Sequence, residues 1–206
     1  MLNRLFGTSS QETPPESRLP ADRQALVEAS PAAHEAARLL RAPTALAQLT
    51  ESDALVVVGF MRPRRYRRGI TIIRQGDAED TGFMVLVLEG EITVETLIAR
   101  RVDPVTVNVL GPGSLIGEMA LVDGAARSAS CTASTDVTCA VLTREALETL
   151  IGERPDTAAK LMTAVAQRLA ERLRESSHKL QIYSRLVQTM QQEIDQLMPT
   201  PDRRPR

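Results

Sequence analysis

The sequence predicts an α+β chain in which an all-β sandwich or barrel sits between a helical entry and a long helical exit. Three observations carry this. Short β-branched runs punctuated by glycine turns fill the middle of the chain. A helical apolar pattern interrupted by two prolines precedes them, and a stretch without Pro or Gly, residues 156–197, follows them.

Each segment has its own reason. Residues 1–20 read as a disordered N-terminal segment, because TSSQETPPESRLP is polar and Pro-rich. Leu2, Leu5 and Phe6 ahead of it read as a frayed terminus, with a patch that docks a partner or touches a membrane as the alternative. MLNRLFG lacks the apolar stretch of a signal peptide, and ALVVVGFM is too short to span a bilayer, so the expectation is a cytoplasmic chain with no membrane span. Residues 21–60 form the helical entry, broken near Pro31 and Pro43, with Ser52 or Asp53 as N-cap of its last helix.

Residues 61–145 hold the strand-like runs RYRRGITIIRQGD, FMVLVLEGEITVET, PVTVNVLGPGS, RSASCTAS and VTCAVLT. With no Trp, two Tyr and three Phe, their core must be aliphatic. Cys131 and Cys139 fall in alternating segments and read as buried, reduced thiols. Arg62, Arg64, Arg65, Arg67 and Arg68 make RPRRYRR a basic run. It fits a solvated strand and turn, with RNA or another phosphate-rich partner as the alternative. The formal net charge of −1 provides no global field toward nucleic acid or anionic lipid.

Residues 146–198 return to helix. Leu173, Leu180, Val187 and Ile194 recur every seven residues, followed at three by Ser176, Tyr183, Met190 and Leu197. That a/d pattern predicts a coiled coil and a parallel homodimer along residues 173–197. Residues 199–206 are a polar tail.

The segment GEMALVDGAARSAS, residues 117–130, concentrates chemistry between two strand-like runs. Gly117 lets a ligand approach the backbone, and Ala120 keeps a pocket floor low. Glu118 accepts hydrogen bonds from a ligand hydroxyl. Arg127 offers a guanidinium fork to a phosphate, with Ser128 beside it. The amides of a short helix starting here favour an anion. One phosphate, one free hydroxyl and a flat apolar face describe a cyclic nucleotide.

At this point the sequence resembles a known family. Gly117, Glu118, Met119, Ala120, Leu121, Val122, Arg127, Ser128 and Ala129 match the phosphate-binding cassette of the cyclic-nucleotide-binding domain. That domain is shared by the catabolite activator protein, the regulatory subunit of cAMP-dependent kinase and many channels. GITIIRQGD and LVLEGEITV resemble its strand-and-glycine signatures, so the likeness covers roughly residues 61–179. It implies an antiparallel, jelly-roll-like β-roll with N-terminal helices and a long C-terminal dimerisation helix. It also implies that Glu118 binds the ribose 2′-hydroxyl and that Arg127 with Ser128 binds the cyclic phosphate. Ala126 departs from kinase-type members, which often carry Pro before the arginine.

RLAERLRESSHKL resembles the nucleotide-facing helix of the catabolite activator, which places Ser176 and Ser177 at adenine-contacting positions. His178 beside them reads as a solvated helix residue. That serine pair, and the absence of an obvious guanine-specific carboxylate near it, favour cAMP over cGMP. Some 26 residues follow Leu180, where catabolite-activator-type regulators carry a winged helix-turn-helix, so no DNA binding is expected. No nucleophile–base pair or metal cluster stands out, so the expectation is a sensor and not an enzyme. It would be a stand-alone homodimeric sensor that signals to an effector protein. The alternatives are a constitutive dimeric scaffold with an empty cassette and a minimal nucleic-acid-binding regulator.

Overall fold

The structure, a computed structural model, describes residues 25, 27–96 and 105–197. The expected disordered segment 1–20, with Leu2, Leu5 and Phe6, and the tail 199–206 lie outside the described residues.

The entry contains α1 (Pro31–Leu40) and α2 (Glu51–Phe60). Pro31 sits in the first turn of α1, where its missing N–H costs nothing, and Ser30 caps the helix by accepting from the Ala33 N–H. The cap of α2 is Thr50, not Ser52 or Asp53: its hydroxyl accepts from the Asp53 N–H at 3.2 Å. Asp53 is left for another task. Its buried carboxylate takes Lys160 Nζ at 2.9 Å and the Thr157 hydroxyl at 3.2 Å, tying α2 to the exit helix.

Among the described residues eight strands follow: β1 (Arg62–Tyr66), β2 (Thr71–Ile73), β3 (Phe83–Glu89), β4 (Ile92–Thr96), β5 (Val105–Leu110), β6 (Leu115–Ile116), β7 (Ser130–Ala133) and β8 (Val137–Thr143). Between β6 and β7 lies the short helix α3 (Glu118–Asp123). The strands form two antiparallel four-stranded sheets, ordered β1-β8-β3-β6 and β2-β7-β4-β5. β1 pairs with β8, Arg62 opposite Val141, so the first strand of the roll closes on the last. The five arginines of RPRRYRR are exposed on this edge strand and the turn after it.

Strand alternation explains the run FMVLVLE. Val85 and Val87 point between the sheets with Val137, Cys139 and Val141, while Met84 and Leu86 point the other way with Leu142 into the helices. The first sheet is covered on both faces, so its inner strand β3 is apolar from Phe83 to Leu88. Cys131 and Cys139 are free and buried, and burial pushes each thiol up to about 11.

The exit comprises α4 (Arg144–Glu153), capped by Thr143, and α5 (Pro155–Leu197), 43 residues long. Ala158, Leu161, Ala164 and Val165 of α5 join Leu147 and Leu150 of α4 in the helical core. Among the described residues no helix is long and apolar enough to cross a membrane.

Candidate functional site

A cavity of about 520 Å³ opens between the second sheet, α3 and α5. Gly117, Glu118, Met119, Ala120, Arg127, Ser128 and Ala129 all line it, as does Ser176 on α5. Ser177 does not. At about 100° per residue Ser176 stands at the rim of the face that carries Arg168, Arg172, Glu175 and Lys179, and Ser177 falls a further step round, on the far side of the helix.

Arg127 is buried, and its guanidinium is held by three backbone carbonyls. Nε donates to Asp80 O at 3.1 Å, Nη1 to Gly117 O at 3.0 Å and Nη2 to Phe83 O at 3.1 Å. The group also stacks over the Phe83 ring, 4.3 Å from its centroid. The backbone is equally fixed: the Arg127 N–H donates to Asp77 O, and its carbonyl accepts from the Gly76 N–H. Burial lowers the pKa of this group from its ordinary value, and the Asp80 and Asp77 carboxylates work against that. A guanidinium has five N–H donors, so three carbonyls leave two, one on each Nη.

Gly117 has a positive φ of 79°, but its more specific task is to make room for this arginine. A Cβ there would lie 2.7 Å from Arg127 Nη1 and 2.9 Å from the Phe83 carbonyl oxygen. The sequence suggested a glycine kept open for a ligand. The space next to it is already filled by the guanidinium.

Glu118, 2% exposed, pairs with Arg172 Nη1 of α5. The two cassette charges are therefore both partnered within the chain. Arg172 was not among the residues singled out from the sequence, nor were Arg168, Glu175 and Lys179, which also line the cavity. Their signal was present: positions 168, 172, 175 and 179 are spaced by four, three and four, the repeat of one helix face. Glu175 puts a carboxylate next to Ser176 on the cavity wall.

Several known proteins are similar to this chain. A profile of the cyclic nucleotide-binding domain matches residues 63–154. The chain is 28% identical over 130 residues to a CRP-like cAMP-activated global transcriptional regulator of Mycobacterium tuberculosis, covering 62% of this chain and 52% of that one. It is 34% identical over 137 residues to the cyclic AMP receptor protein of Thermus thermophilus, covering 66% and 60% respectively. The chain spans about half the length of the first of these curated relatives. Among solved structures, a cyclic nucleotide-binding domain from Methylobacillus flagellatus superposes with a TM-score of 0.63 at 28% identity, covering 78% of this chain and 85% of that one. The catabolite activator protein of Thermus thermophilus gives 0.58 at 32% identity, covering 66% and 61%. Eight strands in two sheets among the described residues, a cassette helix between β6 and β7, and the profile match mark residues 63–154 as a cyclic nucleotide-binding domain.

Proposed function

We propose that the protein is a cytoplasmic cyclic-nucleotide sensor, with cAMP as its ligand, that acts as a homodimer and reports occupancy to an effector protein. The observation that carries this reading is the seat of Arg127. Three carbonyls fix the guanidinium plane while two N–H donors remain, which suits the two exocyclic oxygens of a cyclic phosphate. Glu118 has several acceptor positions and can take a ribose hydroxyl while Arg172 stays bound. Ser176 and the cAMP-responsive names of the bacterial relatives support adenine, and Ser128 is a further phosphate donor. Nothing in this reading needs a reaction, so the role is binding and transmission, not catalysis. The apolar seam of α5 supports the dimer.

The test is titration calorimetry of the full chain with cAMP. Arg127→Ala should weaken binding by about a hundredfold, since a bidentate charged pair lies at the upper end of hydrogen-bond strengths. It should also lower stability by about 2 kcal/mol, because the carbonyls of Asp80, Gly117 and Phe83 lose a donor they share and the buried guanidinium leaves a gap. Arg127→Lys keeps the charge without the fork and should fall between. Unchanged affinity in Arg127→Ala would remove the site. No binding of any cyclic nucleotide by the unaltered chain would leave the scaffold reading in its place.

A further inference from the structure

The cassette helix α3 has six residues, fewer than a helix needs to hold itself in water. Its two ends are tied to two different exit helices by arginines. At the N-terminal end Arg172 of α5 pairs with Glu118. At the C-terminal end Arg144, the first residue of α4, donates from Nη2 to the Ala120 carbonyl at 3.3 Å. That carbonyl also accepts the Gly124 N–H at 2.9 Å. Cations are favoured at a helix C-terminus, where carbonyls lack partners.

Arg144 holds a second element with its backbone. Its N–H donates to Gly82 O at 2.7 Å, and its Cβ lies 3.5 Å from where a Cβ on Gly82 would stand. The next residue, Phe83, supplies the carbonyl that accepts from Arg127 Nη2. One residue of α4 therefore touches the cassette helix with its side chain and, with its backbone, the residue that leads into the strand seating Arg127. Unlike Arg172, it does not line the cavity.

We infer that Arg144 is a positioning residue that couples the cassette helix to the exit helices. A ligand hydroxyl reaching Glu118 shares that carboxylate with Arg172 and reshapes their link, because both groups line the cavity. The Arg144 link lies outside that rearrangement and persists. A displacement of α3 then pulls on the start of α4, whose Leu147 and Leu150 share a core with Ala158 and Leu161 of α5. The ligand-dependent half of this inference rests on the cyclic-nucleotide reading, and the ligand-free half does not.

The experiment is hydrogen exchange by mass spectrometry on the full chain, with Arg144→Met, which keeps an apolar stem but no donor, and Arg144→Lys as rescue. Without nucleotide, amides of residues 121–124 should exchange about two- to tenfold faster in Arg144→Met, the loss of one hydrogen bond, and recover in Arg144→Lys. With saturating cAMP, the unaltered chain should respond in α3 and across residues 144–171. In Arg144→Met the response should shrink to cavity-lining segments while the Kd stays within about twofold. Should Arg144→Met fail to fold, Arg144→Gln, whose shorter amide falls short of Ala120, runs both arms. Unchanged exchange at residues 121–124, or a full response of residues 144–171 in the variant, overturns the tether. If the unaltered chain binds no cyclic nucleotide, that reading fails and the ligand-free arm alone decides.

Discussion

The two halves of α5 share one helix and one apolar period, yet they end in opposite environments. In the first half Ala158, Leu161, Ala164 and Val165 are buried against the roll's helical core. In the second, Leu173, Leu180, Val187 and Ile194 are 68%, 66%, 64% and 51% exposed, and Tyr183, Met190 and Leu197 at the intervening positions are exposed too. Past the cavity-lining Lys179, residues 180–194 run about 22 Å and are all exposed. A seven-residue repeat on a single amphipathic helix and on a coiled coil looks the same until it is known where the neighbouring core stops. The core stops near Leu169, so the seam beyond it is unfinished within one chain.

The largest expected effect breaks the second half. Leu180→Glu with Val187→Glu should convert a dimer to monomers in light scattering, with the roll's near-ultraviolet spectrum retained. A dimer surviving both changes would place the interface elsewhere.

The mirror experiment breaks the first half. Leu161→Ala, at a position 1% exposed, should cost about 2–5 kcal/mol of unfolding free energy. Leu180→Ala should leave the roll itself within about 0.5 kcal/mol while weakening association. Equal costs at both sites in a dilute monomer would erase the distinction.

Acid sharpens it further, since the packed half carries the Lys160–Asp53 pair. Burial alone would raise the Asp53 carboxyl, but hydrogen bonds from Thr50, Lys160 and Thr157 outweigh it and hold the pKa below its ordinary value. A depressed folded-state pKa stabilises above the unfolded value and is lost as pH falls through the folded one. Urea unfolding should therefore weaken below about pH 4, and Asp53→Asn should flatten that slope. An unaltered slope would show that another carboxylate controls it.

The smallest effect lies where the two halves meet. Ser176→Ala should change the ratio of cAMP to cGMP affinity by about two- to tenfold, one neutral hydrogen bond, while Ser177→Ala changes nothing measurable. A larger effect at Ser177 would mean that it reaches a nucleotide from a partner's helix.

These contrasts also mark what the sequence could reveal. The strands were legible because glycine turns punctuate runs of Val, Ile and Thr, and α5 because nothing in residues 156–197 interrupts a helix. The cassette was legible because its chemistry is local, within residues 117–129. Arg172 was not. Its partner Glu118 lies 54 residues away, and no periodicity states which helix face will meet a distant loop. The same limit hid the filled space beside Gly117 and the role of Asp53, which reads as a cap until Lys160 is brought to it. Local pattern predicts elements well, and long-range pairing decides what their side chains are for.

The pairing of β1 with β8 has a kinetic consequence. Arg62 and Val141 meet only after the chain between them has been gathered, a long closure whose entropy cost precedes its reward. The cavity draws residues from Thr44 to Lys179, a wider span than that closure, so its walls converge late as well. Any ligand held there stabilises contacts formed late, and late contacts act on the rate of opening more than on the rate of assembly. A bound molecule should therefore leave refolding speed nearly unchanged and slow unfolding, giving the roll a longer lifetime and not a faster birth.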